Sequence, residues 1–137
     1  MYLLDTSIIL ELLLDQERAD QVERLLRNIP PEDLNLSEFS LYSLGIIFVR
    51  RKMQDIFLQT VHDMLVAGGI RLVRLAVEDM PDIVHTTQRF NLDFDDAYQC
   101  VAARKCHLTI VSFDSDFDRT EQGRKTPAEI LEGRDQS

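Results

Sequence analysis

Acidic residues stand where this chain turns from strand to helix, and their placement suits the binding of a cation. Asp5 directly follows the first short apolar run, and Asp114 directly follows the last one, with Asp116 two residues beyond it. Asp96 lies at the start of the helical segment before that last run, and Glu38 lies in the first turn of an earlier one. Carboxylates gathered from four segments repel one another, so their convergence implies a bound cation or a raised pKa.

The ligand types indicate which cation this would be. The histidines are isolated from one another and lack the spacing of zinc ligands; they are His62, His85 and His107. Oxygen-only ligation without a histidine or cysteine cluster favours Mg²⁺ or Mn²⁺ over zinc. The glycine-rich motifs that cradle nucleotide phosphates do not occur in the sequence.

Each acid also has a simpler explanation when it is taken alone. Asp5 and Asp95 precede helical segments, where aspartate commonly caps the free N–H groups. Glu38 suits the positive end of a helix dipole. The metal hypothesis therefore rests on the joint placement of the acids and not on any single residue.

A parallel sheet is needed to bring these acids together. Residues 2–4 and 70–75 predict strands, and the apolar, β-branched residues 108–113 predict a central strand buried on both faces. The predicted helices cover residues 8–13, 16–28, 54–67 and 77–90, one from a Ser37 cap to about residue 52, and one capped by Asp93 or Asp95. Strands separated by helices predict an α/β sandwich with a parallel sheet, which binds ligands at the carboxyl ends of its strands.

Length and composition predict one domain over residues 1–137, with a short, disordered tail from about residue 132. The longest apolar stretch, residues 44–49, is far shorter than the ~20 residues that cross a bilayer, and the first residues lack the pattern of a signal peptide. We therefore expect a cytoplasmic protein without a membrane segment. The net charge of −9 argues against passive nucleic-acid binding, although carboxylates that hold cations are compatible with cutting nucleic acid.

At these same residues the sequence resembles the PIN-domain nucleases, and among them the VapC-type toxins of toxin–antitoxin systems. The resemblance rests on Tyr-Leu-Leu-Asp-Thr-Ser at residues 2–7, Phe-Asp-Asp-Ala-Tyr-Gln-Cys-Val-Ala-Ala at 94–103 and Thr-Ile-Val-Ser-Phe-Asp-Ser-Asp-Phe at 109–117. Thr-Pro-Ala-Glu-Ile-Leu at residues 126–131 also resembles the end of such domains. It implies a PIN-like three-layer α/β/α sandwich around a mainly parallel sheet.

The resemblance assigns roles to individual residues. It implies that four aspartates bind Mg²⁺, or Mn²⁺ in its place: Asp5, Asp96, Asp114 and Asp116. Thr6 and Ser112 would be neighbouring hydroxyls that orient a carboxylate or a bound water. Many relatives carry a glutamate one or two turns into the third helix, where this chain has Ser-Leu-Gly at residues 43–45. Glu38 is the only acid near that place and is assigned to it, as a catalytic residue beside Asp5, Asp96 and Asp114.

The function implied by the resemblance is that of a metal-dependent endoribonuclease, which hydrolyses phosphodiester bonds with a metal-activated water. The implied partners are an RNA substrate, a cognate antitoxin and a second copy of the chain in a homodimer. Arg119, Arg124 and Lys125 flank the turn after the last strand, and we hypothesise that they contact the RNA backbone. A solvated loop is the other explanation of this basic segment.

Two further functions are compatible with parts of the pattern. A PIN-like domain without catalysis, acting as a binding or assembly module, would account for the absent third-helix glutamate and the acidic balance. A receiver-like phosphoacceptor domain also has an aspartate after its first strand. That domain needs an acceptor aspartate after a middle strand and a lysine after a late one, and neither is present here: Ala76 and Val77 follow Leu75, and the last strand leads into Asp114.

Overall fold

The computed structural model describes residues 1–135, without the side chain of Asp135. Within these residues the strands are β1 (Tyr2–Leu4), β2 (Leu34–Ser37), β3 (Arg71–Val73) and β4 (Thr109–Val111). The α-helices are α1 (Thr6–Leu13), α2 (Ala19–Asn28), α3 (Glu38–Arg50), α4 (Gln54–Val61), α5 (Met80–Phe90), α6 (Phe94–Cys106) and α7 (Pro127–Asp135). Short 3-10 turns occupy Pro31–Asp33, Val77–Asp79 and Ser115–Arg119.

The four strands form one sheet in the order β3-β2-β1-β4, and every pair in it is parallel. The carboxyl ends of β1 and β2 therefore lie side by side at one edge, where Leu4 pairs with Leu36. This confirms the predicted α/β sandwich with a parallel sheet.

The sequence did not predict β2, which lies just after the helix-breaking prolines at residues 30–31. It is a four-residue strand, and all its residues are buried, including the polar Asn35. The Asn35 side-chain amide donates to the carbonyl oxygen of Tyr2 at 3.0 Å, so a polar residue is satisfied inside the sheet. β2 supplies the position from which α3 begins.

The prediction that β4 is a central strand is wrong, because β4 forms one edge of the sheet. Ile110 and Val111 are buried on opposite faces, which gives the strand its uniformly apolar sequence. The chain at Lys125 covers the open side of β4: its N–H donates to Ile110 at 2.8 Å, and its carbonyl accepts from Ser112 at 3.0 Å. An edge strand that is covered in this way can therefore be as apolar in sequence as an interior strand.

Two apolar cores cover the two faces of the sheet, which gives three layers. Leu4 and Val111 belong to the core beneath α1, α2, α3 and α7, whereas Leu3 and Ile110 belong to the core beneath α5 and α6. Successive strand residues point to opposite faces, so one short strand serves both cores. Among the described residues, no helix combines the length and the apolar character needed to span a bilayer.

Several helix limits differ from the predicted ones, including the start of α5, which begins at Met80 after the 3-10 turn Val77–Asp79. α2 begins at Ala19 and not at residue 16, because the loop before it is held by Glu11, whose carboxylate accepts from the Arg18 N–H at 2.8 Å. The helix predicted to residue 67 ends its α form at Val61 and continues as a π-helical turn. The disordered tail predicted from residue 132 is helical up to Asp135, where α7 ends. Residues 136–137 lie outside the described residues.

Candidate metal centre

The carboxyl-end edge of the sheet opens into a cleft of about 420 Å³. Asp5 follows β1, Asp114 follows β4, and Asp96 lies in the first turn of α6. All three line this cleft, so the structure brings together acids from both ends of the sequence. The parallel sheet produces this arrangement because its strands end at the same edge.

Asp5 is buried and accepts hydrogen bonds on both of its carboxylate oxygens. Oδ2 accepts from the hydroxyls of Ser7 at 2.9 Å and Ser112 at 2.7 Å. Oδ1 accepts from the side-chain amide of Gln99 at 3.1 Å. Asp5 stands at the N-cap position of α1, yet its side chain makes no capping hydrogen bond to the helix, so capping does not explain its presence.

Beside Asp5 lies a cluster of three other acids, which are Asp96, Asp114 and Asp116. One carboxylate oxygen from each lies within 4.8 Å of the other two. Burial, together with the charges of Asp95, Asp114 and other nearby aspartates, raises the pKa of Asp96 to about 7. Three close carboxylate oxygens without a histidine or cysteine fit a hard divalent cation such as Mg²⁺ or Mn²⁺.

The turn after β4 sets the positions of Asp114 and Asp116. The Asp114 N–H donates to the hydroxyl of Ser112 at 2.9 Å, and the Asp116 N–H donates to Asp114 Oδ1 at 2.9 Å. The Arg119 guanidinium donates to Asp116 Oδ1 at 3.0 Å and so offsets part of the negative charge at the outer side of the cluster. A neighbouring acidic group consists of Asp93, Asp95 and Asp96, of which Asp93 and Asp95 are exposed.

The two predicted hydroxyls have different positions. Ser112 contacts Asp5 directly, as predicted for a residue that orients a carboxylate. Thr6 does not contact an acid; its hydroxyl donates to the hydroxyl of Ser40 at 2.8 Å. Ser40 in turn accepts from Gln99 at 2.8 Å, so Thr6 is linked to Asp5 only through two other side chains.

The structure does not bring Glu38 into this cleft. Its carboxylate pairs with the Arg74 guanidinium at 2.8 Å and accepts a hydrogen bond from the Tyr42 hydroxyl, which raises the pKa of Tyr42. α3 turns about 100° per residue, and the residues of this helix that line the cleft are Phe39, Ser43, Ile46 and Ile47. No acid of α3 lines it, because Glu38 is the only acid in that helix.

Gln99 and Ser40 are residues of the site that the sequence analysis missed. Both are buried, and they join Asp5 to α3 through hydrogen bonds. A signal for Gln99 was present, since it lies three residues after Asp96 on α6 and therefore on the same helix face. Ser40 is three residues after the Ser37 cap, and no sequence pattern indicated that its hydroxyl contacts an amide from α6.

Two basic residues that were not among the predicted RNA contacts also lie beside the acidic cleft. A second cleft of about 500 Å³ shares Ser7 and Asp114 with the first and is lined by Arg18 and Arg51. The Arg18 guanidinium lies 3.9 Å from the ring centre of Phe113. These contacts join segments far apart in the sequence, which is why no local pattern indicated them.

Of the three predicted RNA contacts, Arg119 ends the 3-10 turn after β4, and Arg124 and Lys125 follow that turn. Arg119 pairs with Asp116, as described above, and donates to the Asn91 carbonyl at 2.7 Å. Arg124 pairs with Asp118 at 3.1 Å and donates to the Ser112 carbonyl at the same distance. Lys125 is exposed.

Comparison with known proteins identifies a family and a fold. Residues 2–123 match the model of the PIN domain family. No curated protein matches the sequence. The fold is similar to that of a toxin–antitoxin complex from Klebsiella pneumoniae, with a TM-score of 0.72, 17% identity, and coverage of 93% of this chain and 98% of that one.

Two other solved structures are similar to a comparable degree. VapC20 of Mycobacterium tuberculosis, described as a toxin that cleaves the sarcin–ricin loop, gives a TM-score of 0.74 at 20% identity over 86% of this chain and 93% of that one. FitAcB from Neisseria gonorrhoeae gives 0.71 at 19% identity over 93% and 99%. At these identities the likeness shows a shared fold.

Proposed function

Because this chain belongs to the PIN-domain family, we propose that it is a Mg²⁺- or Mn²⁺-dependent endoribonuclease and the toxin of a VapBC-type toxin–antitoxin pair. The observation that carries the proposal is a cluster in which carboxylate oxygens of Asp96, Asp114 and Asp116 lie within 4.8 Å of one another, beside a cleft that Asp5, Asp96 and Asp114 line. Such a cluster is costly without a cation, since its members repel one another. VapC20, which shares the fold, is described as a toxin that cleaves the sarcin–ricin loop.

Asp96, Asp114 and Asp116 would hold the cation, with Asp5 beside them. A bound divalent cation lowers the pKa of a coordinated water and offsets the negative charge that develops on a phosphate. In the protein alone Asp96 is mostly protonated below neutral pH, because its pKa is about 7. Binding of a cation requires this carboxyl to lose that proton, so we expect affinity to rise with pH up to about neutrality.

The substrate path in this proposal runs through the second cleft. Arg18 and Arg51 line it, and it meets the acidic cleft at Asp114. Two guanidinium groups next to the acids provide local positive charge for a phosphate backbone, despite a net charge of −9 for the chain. Arg18 also pairs with Glu11, at 3.7 Å, and Arg119 and Arg124 each pair with an aspartate, so Arg51 would contribute the most charge to binding of the backbone.

A protein partner is the second part of the proposal. An apolar groove of about 740 Å³ lies between α3 and α4, and it is bordered by Tyr42, Val49 and Leu58, which are all more than half exposed. Ile46 lines both this groove and the acidic cleft. We propose that a cognate antitoxin covers the groove and reaches the cleft along Ile46.

The family resemblance also implies a homodimer and a cytoplasmic location, where RNA and antitoxin are found. Light scattering of the purified chain would measure its mass in solution. A mass corresponding to two copies is expected, and a mass corresponding to one copy at micromolar concentration would contradict the dimer.

A catalytically inactive PIN-like binding module is the alternative function. The observation that favours it is the cleft-facing side of α3, which carries a serine and apolar residues and no acid. This alternative predicts that divalent cations bind no better to the wild-type protein than to a variant without Asp96.

Cleavage of a mixed, structured RNA by the purified protein distinguishes the two functions. The reaction is run with Mg²⁺, with Mn²⁺ and with EDTA, and Asp96→Asn, prepared in the same way, reveals any contaminating nuclease. Discrete cuts that require the cation and disappear in the variant would support the nuclease. Equal background in both proteins, together with equal Mn²⁺ binding by calorimetry, would support the inactive module.

A further inference from the structure

Gln99 occupies an unusual position for an amide side chain. It is 2% exposed, in the part of α6 whose neighbouring residues Cys100, Val101 and Ala102 are buried and form part of the apolar core. Its Nε2 donates to Asp5 Oδ1 at 3.1 Å and to Ser40 Oγ at 2.8 Å. A residue selected for packing alone would be apolar here, as its neighbours are.

The other end of the amide has no hydrogen-bond partner. Gln99 Oε1 is buried and unpaired within the described residues. An unpaired buried carbonyl lowers the stability of a folded protein. Reversing the amide would place Oε1 against a carboxylate oxygen of Asp5, and two acceptors cannot share a hydrogen bond. The amide therefore keeps its N–H groups toward Asp5 at a cost in stability.

The three donors around Asp5 act together. Ser7 and Ser112 hold Oδ2, and Gln99 alone among the described side chains holds Oδ1. A carboxylate that is held on both oxygens cannot rotate about its terminal bond. Without Gln99, Oδ1 would be held by no donor, and the carboxylate could rotate about the remaining hydrogen bonds on Oδ2.

From these contacts we infer that Gln99 is a positioning residue, which fixes the carboxylate of Asp5 for cation binding and connects it to α3 through Ser40. The inference rests on the proposed function, since it concerns the same cation. It also gives α3 a role in the site, because the helix that carries no acid there reaches Asp5 through the hydroxyl of Ser40.

The test compares Gln99→Met with a matched control, Thr86→Val. Methionine keeps the length of the side chain and removes the amide. Thr86 is equally buried, at 2% exposure, and its hydroxyl donates to the Asp82 carbonyl at 2.8 Å in α5, away from the cleft. For each protein, calorimetry gives the Kd for Mn²⁺, and a thermal melt gives the unfolding midpoint without the cation.

Gln99→Met is expected to raise the Kd for Mn²⁺ about tenfold, as loss of a group that orients a ligand typically does. Thr86→Val is expected to leave the Kd unchanged. The cation-free midpoint of Gln99→Met is expected to fall, because Asp5 Oδ1 loses its donor, although removal of the unpaired Oε1 offsets part of that loss. If Gln99→Met does not fold, Gln99→Asn keeps an amide but shortens its reach by one methylene, and the same rise in Kd is expected.

A Kd within twofold of wild type in the folded variant would overturn the inference, and so would an equal change in Thr86→Val. Wild-type binding of Mn²⁺ that disappears in Asp96→Asn would leave the proposed function standing in either case. Absence of Mn²⁺ binding by the wild-type protein would overturn both. Failure of the inference about Gln99 can therefore be distinguished from failure of the proposed function.

Discussion

The two halves of the acidic cleft are built in opposite ways. Asp5 is surrounded by donors: hydroxyls hold one carboxylate oxygen, and the Gln99 amide holds the other. Asp96 and Asp114 are surrounded mainly by other carboxylates, and the pKa of Asp96 is raised to about 7 as a result of burial and of those charges. One half is fixed before any cation arrives, whereas the other half needs a cation to relieve its repulsion.

This difference divides the work of a metal site between the two halves. Hydrogen-bonded carboxylates provide geometry, since their orientation is already settled. Crowded carboxylates provide affinity, since a cation removes an unfavourable interaction that the protein alone retains. Substitutions in the two halves should therefore change cleavage and stability to different extents. Four measurements test that expectation.

The largest expected effect is the loss of RNA cleavage in Asp96→Asn. Removing one carboxylate from the crowded half is expected to lower the rate by roughly 10³-fold, which corresponds to about 4 kcal/mol of lost transition-state stabilisation. Asp20→Asn is the matched control, because Asp20 is an exposed aspartate in the first turn of α2. Gel-based cleavage rates in Mg²⁺ measure the effect. Retention of more than a tenth of the wild-type rate would contradict the assignment of Asp96.

The second effect is a dependence of stability on pH in the cation-free protein. The folded-state pKa of Asp96 is about 7, whereas the unfolded value is ~4. Below pH ~4 both states are protonated; between pH ~4 and 7 only the unfolded state loses its proton, so folding stability falls as the pH rises. The fall attributable to Asp96 is on the order of 2 kcal/mol, because the cleft is open to solvent and the full shift is an upper limit.

Urea denaturation of the wild-type protein and of Asp96→Asn in EDTA, at pH 4.5 and 7.5, isolates this contribution. The variant is expected to lose less stability over that interval, and saturating Mn²⁺ is expected to restore the wild type at pH 7.5. Equal losses in the two proteins would show that Asp96 is not the group responsible.

Ser112→Ala tests the hydrogen-bonded half, with a smaller expected effect. It removes the 2.7 Å donor to Asp5 and the acceptor of the Asp114 N–H. We expect a cleavage rate about tenfold lower and a free energy of unfolding about 1–2 kcal/mol lower, because buried partners are left unpaired. Ser115→Ala is the control, as Ser115 is exposed in the same turn. A rate equal to that of the control would show that Asp5 keeps its orientation without Ser112.

The smallest expected effect is that of Glu38→Gln. Its carboxylate pairs with Arg74, whose side chain is 70% exposed, and such pairs contribute about 0–1 kcal/mol. We expect a cleavage rate within about twofold of wild type and a slightly lower unfolding midpoint. A tenfold loss of rate with an unchanged midpoint would return Glu38 to the site, as the sequence had assigned it.

How much of the site could be predicted depends on how local its causes are. Asp5 and Asp114 were predicted to meet because each follows a strand, and parallel strands end at one edge. The strand β2 was missed because a four-residue, partly polar segment after two prolines carries little local signal. The edge position of β4 was missed because burial of both faces, and not position in the sheet, determines how apolar a strand is.

The sequence by itself determined the fold class and the aspartates that follow strands or begin helices, since strand–helix alternation and acids at strand ends are properties of neighbouring residues. Only the tertiary structure decided which side chains reach the acids: Gln99 and Ser40 come close from different helices, and Glu38 turns to Arg74. The physical reason is that a side chain's partners depend on the rotation and packing of whole helices. The rotation and packing of the helices are set by the apolar cores on both faces of the sheet, and not by the residues that neighbour a side chain in the sequence.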